Sequence, residues 1–163
     1  MEKWAGVRVT AVDPDPDYLG IEVHVSSRRY SGTAFVYSVG DLERLASGIC
    51  GFPSSASDAR WVELGTKEEH IAGGYCSLRF SCIDGAGHIF LAVSIKEDRG
   101  HSDIHTSAEF GFNIEGAARI DEFVKALQSV IKERSGEAIL DGIPEGFIDY
   151  VTTISEEGDL TNG

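Results

Sequence analysis

Positive charge is scarce in this sequence of 163 residues: 14 lysines and arginines stand against 27 aspartates and glutamates, a net charge of -13. A surface of that sign repels phosphate backbones and anionic membranes, so direct binding to nucleic acid or lipid is not expected. Cysteine is nearly as scarce. The three present, Cys50, Cys76 and Cys82, form an odd set without a CxxC pair. That pattern argues against a disulfide framework and suits reduced thiols. Long apolar runs are also missing: nothing approaches the roughly 18 residues of a membrane span, and MEKWAGVRVT lacks the apolar centre of a signal peptide. A cytoplasmic location is the expectation.

The common catalytic signatures are missing too. No GxGxxG follows a strand and opens a helix, and no GxxxxGK[ST], GxSxG or HExxH occurs. Nucleotide use and the common hydrolase mechanisms lose support, and no cofactor is expected. The run Asp13-Pro-Asp-Pro-Asp17 lacks the glycine and terminal glutamate of a calcium loop, and its prolines stiffen it. It reads as a rigid acidic turn.

What is present suits one folded domain, since 42% of residues are hydrophobic and 25% charged. Trp4 to Val12 is β-rich and stops at the Asp/Pro turn. Ile21, Val23 and Val25 alternate with Glu22, His24 and Ser26, the mark of a half-buried antiparallel strand. Tyr30 to Tyr37 follows after a polar turn. Ser38 and Asp41 have the spacing of a capping box. Leu42, Leu45, Ala46 and Ile49 then form one helical stripe, which Gly51 and Pro53 end.

Trp61 to Leu64 is a brief further strand. In the next hairpin, Leu78, Phe80 and Cys82 alternate on one arm and Ile89, Leu91, Val93 and Ile95 on the other, around the turn Ile83 to His88. Phe110, Phe112 and Ile114 mark a strand from about Ile104. Ile120, Phe123, Val124, Leu127, Val130 and Ile131 mark a long helix over Ala117 to Arg134. This order predicts an α+β fold: a mainly antiparallel sheet of about six or seven strands packed against one long helix, with a short helix and a C-terminal helical segment.

Composition shifts after Arg134. Residues 1–134 read as a single α+β domain, and 135–163 as an acidic segment docked on it, with seven acids and no lysine or arginine. Phe147, Tyr150, Val151 and Ile154 fall at helical spacing, with Asp141, Glu145 and Asp149 nearly opposite. These three carboxylates, with Asp13, Asp15 and Asp17 of the turn, are the candidate partner-binding residues. No residue is assigned a catalytic or metal-binding role.

Two histidine arrangements stand against that assignment. His101, Asp103 and His105 alternate as strand ligands of zinc or iron would, although no further ligand stands nearby. His88 with Asp84 has the spacing of a base and its orienting carboxylate, but an Asp-Gly turn more naturally uses that carboxylate to fasten itself.

The run Cys82-Ile-Asp84-Gly-Ala-Gly87-His88 with its apolar return to Ile95, followed by a strand and IDEFVKALQSVI, resembles a family of small bacterial domains with a D-x-x-G-H hairpin. The element order from Leu19 to Ile131, including Asp41-Leu-Glu-Arg-Leu-Ala46, also resembles immunity proteins of polymorphic toxin systems. The resemblance implies a cytoplasmic antidote and carries over no catalytic residue. The expected function is therefore that of a non-catalytic acidic protein-binding domain, an immunity protein against a basic, nuclease-type toxin. Two alternatives stay open: an oligomeric structural or regulatory module without a toxin partner, and a metal-dependent hydrolase using His101, Asp103 and His105.

Overall fold

The computed structural model describes residues 4–13, 19–66, 74–97 and 106–143. Their order is β1 (Ala5–Asp13), β2 (Gly20–Ser27), β3 (Ser31–Val36), α1 (Val39–Ile49), β4 (Ala59–Gly65), β5 (Tyr75–Cys82), β6 (Ile89–Glu97), β7 (Thr106–Ile114), α2 (Ala117–Glu133) and β8 (Glu137–Asp141). The α+β class and the antiparallel pairing are as expected. The single sheet is not: the strands form two four-stranded sheets, ordered β3-β2-β1-β8 and β4-β5-β6-β7. Periodicity identifies strands but not their neighbours, and β8, only five residues long, lay hidden in the acidic stretch after Arg134.

Both sheets turn their apolar sides inward. Val7, Val9, Ile21, Val23, Val25 and Leu140 of the first sheet share one core with Leu64, Leu78, Leu91 and Phe112 of the second, all without solvent exposure. The apolar stripe of α1 (Leu42, Leu45, Ala46, Ile49) and that of α2 (Ile120, Phe123, Val124, Leu127) are buried in the same core. The helices pack on each other, α1 also on β4 and α2 on β8. Burying a leucine or phenylalanine contributes about 1.5–3 kcal/mol each, so these stripes dominate helix stability over capping.

The two sheets cross. The Tyr30 ring stacks on Phe110 of β7 at 6.4 Å. Further along β3, Gly32 lies against Ile95 of β6, Ala34 against Gly74 just before β5, and Val36 against Gly65 of β4. β3 thus passes over all four strands of the second sheet, an orthogonal packing. The Gly74 N–H donates to the Phe35 carbonyl at 2.7 Å, which fastens this corner. Gly65, at φ +77°, has no room for a side chain, because a Cβ there would overlap the Gly74 carbonyl. At another corner the Ile143 N–H donates to the Asn113 carbonyl of β7 at 2.8 Å.

The predicted capping box does not form. Ser38 occupies the N-cap position without a side-chain hydrogen bond. The Asp41 carboxylate instead accepts the Gly65 N–H at 3.1 Å and pairs with Arg44, tying the start of α1 to the end of β4. At the other end of α1, Arg60 donates to the Gly48 and Cys50 carbonyls at 3.1 Å. Its guanidinium also grips Asp58 at 2.9 and 3.1 Å. That grip, together with the Ser54 N–H, holds the Asp58 carboxyl well below the usual carboxylate range.

Candidate protein-binding face

With the inner faces committed to the core, the outer faces are the sides of the two sheets left exposed among the described residues. On the first sheet, strand alternation points Arg8, Thr10 and Val12 of β1 outward, with Glu22 and His24 of β2, Thr33 and Phe35 of β3, and Glu137 and Ile139 of β8. The registers arrange them in rows. Phe35, Glu22, Thr10 and Glu137 lie side by side across the four strands, and Thr33, His24, Arg8 and Ile139 form the next row. Val12, Phe35, Tyr37 and Ile139 are 41–51% exposed. Val12, Phe35 and Ile139 lie within the strands of this sheet, and Tyr37 immediately follows β3. The exposed apolar side chains stand singly among carboxylates and other polar groups on this face.

The two carboxylates of the first row are separated by Thr10, so Glu22 and Glu137 stand about 10 Å apart. Like charges directly opposite would destabilise the ladder, and the neutral threonine between them avoids that.

One end of the face is closed by Trp4. Its ring lies over Gly6, which has no space for a Cβ. Its indole N–H donates to the Asp141 carboxylate at 2.9 Å. The ring stacks on His24 at 6.4 Å, and the Arg8 guanidinium sits 5.8 Å from its centroid. His24 Nδ1 lies 2.9 Å from Thr33 Oγ1. The polar groups at this end are thereby held in fixed positions.

The structure places the residues singled out from sequence as follows. Asp13 closes β1, and Asp141 closes β8 beside Gly6. Both therefore belong to this sheet but lie at opposite ends, seven residues apart along β1 and so about 23 Å. Asp141 ends a strand and binds Trp4, so it does not open a helical face shared with Glu145 and Asp149. Asp15, Asp17, Glu145 and Asp149 lie outside the described residues, as do His101, Asp103 and His105. Among the described residues no three His, Cys, Asp or Glu side chains group as metal ligands would.

His88 Nδ1 lies 2.7 Å from Asp84 Oδ2, while Asp84 Oδ1 accepts the Ala86 N–H at 2.8 Å. This is a fastened hairpin turn, and the His88 bond above all holds the Asp84 carboxyl below its ordinary range. Cys76 is fully buried, and burial pushes its thiol up to about 12. Glu137, Ile139 and Phe35 were missed from sequence as face residues. The alternation around Glu22 and His24 already marked an outer face; the missing piece was the neighbouring strand β8. No protein family, curated protein or solved structure matches the chain.

Proposed function

We propose that this chain is a non-catalytic, acidic protein-binding domain whose outer face of β3-β2-β1-β8 holds a basic partner, and that the partner is a nuclease-type toxin domain which it neutralises. The observation that carries this reading is the row Phe35, Glu22, Thr10, Glu137, in which an exposed aromatic and two carboxylates lie side by side on one sheet. A domain that cleaves nucleic acid needs basic groups to hold phosphates. An acidic binder with a net charge of -13 meets such a surface quickly and competes with its substrate.

The test is binding and protection against the C-terminal domain of the protein encoded beside this chain. The expected result is a complex of one copy of each, loss of that domain's toxicity in cells expressing both, and weakening by at least tenfold when Phe35→Ala is combined with Glu22→Lys. Absence of a complex, or unchanged affinity in the double variant, would refute the reading. Self-association through this face would instead favour the oligomeric module.

A further inference from the structure

The outer face of the second sheet carries a separate site. Between β4 and β7 lies a depression of about 310 Å³, within the size range of small-ligand sites. Its floor is made of small side chains, Ser77, Ala92 and Ser94, and its rim includes Trp61, Arg79 and Glu109.

The rim is ordered from the bottom up. Ser77 is only 5% exposed although its strand position points outward. Its hydroxyl accepts the Trp61 indole N–H at 2.6 Å, which fixes the ring, and the Arg79 guanidinium stacks 4.5 Å from that ring's centroid. The cation is thus braced by an aromatic that is itself hydrogen-bonded, and its planar fork keeps its N–H donors for another group. Among the described residues Arg79 makes no ion pair, and neither does Glu109 on the opposite rim.

We infer that this depression binds a short peptide of two or three residues as a zwitterion, its terminal carboxylate on Arg79 and its terminal ammonium at Glu109. Arg79 is paired with Ala92 of β6, and Glu109 with Ser94 of the same strand. The two charges therefore start two strands and two residues apart, about 12 Å between Cα atoms. The Arg79 guanidinium leans onto Trp61 of β4, on the side away from β7, which keeps it from approaching Glu109 and suits a ligand whose two charges have one or two peptide bonds between them rather than the adjacent charges of a free amino acid. A ligand carrying one charge would leave the other rim group unmatched, and a polyanion would meet Glu109. The Ser94 hydroxyl on the floor faces the peptide's amide groups. This site is on the other sheet from the proposed partner face and stands or falls independently of it.

Calorimetric titration of the full chain with trialanine, N-acetyl-trialanine and trialanine amide tests the assignment, with dialanine alongside. Trialanine or dialanine should bind, and blocking either terminus should weaken binding at least tenfold. Arg79→Gln should weaken trialanine but leave the amide unchanged, and Glu109→Gln should weaken trialanine but leave the N-acetyl form unchanged. Thermal unfolding confirms that both variants are folded. Equal binding of the free and blocked peptides, or no heat from any peptide with the folded wild-type chain, would overturn the proposal.

Discussion

Cys76 shows how much one position decides. It sits on β5 facing the core, and burial pushes its thiol from 9.0 up to about 12. Cys50, by contrast, is exposed at the end of α1. At mildly alkaline pH, iodoacetamide should label Cys50 within minutes and Cys76 only after unfolding, as mass spectrometry of the modified peptides would show; labelling of native Cys76 would contradict its placement. The folded thiol keeps its proton above the value at which the unfolded one loses it. Its contribution to stability is therefore complete below pH 9.0 and declines as pH rises toward about 12. Asp58 has the opposite sign. The Arg60 grip lowers its value in the folded state, so its contribution is complete above the ordinary carboxylate range and is lost as pH falls through the lowered one. Asp58→Asn should remove part of the acid-induced fall in melting temperature, and an unchanged acid limb would count against the grip. Sequence could place Cys76 in a strand, but it could not pair Asp58 with Arg60, because the pair depends on how the loop after α1 folds back.

Among the elements, α1 and α2 were legible because their apolar stripes repeat at helical spacing, and all four predicted stripe residues of α1 are buried. The β5–β6 hairpin was equally legible, since alternation on both arms and two glycines in the turn point to one register. What sequence did not reveal was assembly between elements. The Asp41 carboxylate leaves its own helix for Gly65, so local spacing suggested a cap where a tertiary tie exists. Phe123 lies fully buried where α2 meets the core. Phe123→Ala should cost about 3–5 kcal/mol of unfolding free energy, measured by urea denaturation. A loss below about 1 kcal/mol would mean that α2 is not anchored as described. The same experiment on Gly65→Ala should also destabilise, because the position combines a left-handed backbone with contact to the Gly74 carbonyl.

For the molecule as a whole, the crossing of β3 over the second sheet determines which surfaces remain outside. It buries one side of each sheet and leaves two outer faces of different chemistry. One carries carboxylates among exposed apolar side chains, and the other a depression with a braced arginine. The sequence shows the excess of acid and puts candidate partner-binding residues in the turn at Asp13–Asp17 and on the last segment; the row on the outer face is a further candidate that only the strand order brings together. Charge counts along a chain do not reveal which strands become neighbours: Glu22 and Glu137 are 115 positions apart in sequence, yet only β1 lies between their strands. The central claim is that these two carboxylates steer a basic partner to this face. The most direct test is the association rate, by stopped flow, of wild type and of Glu22→Lys combined with Glu137→Lys with the C-terminal domain encoded beside this chain, in about 0.01 M and about 1 M salt. The account predicts association slowed about tenfold or more by the reversal at low salt, with the two rates converging at high salt. Equal rates at low salt, with both proteins folded, would contradict it.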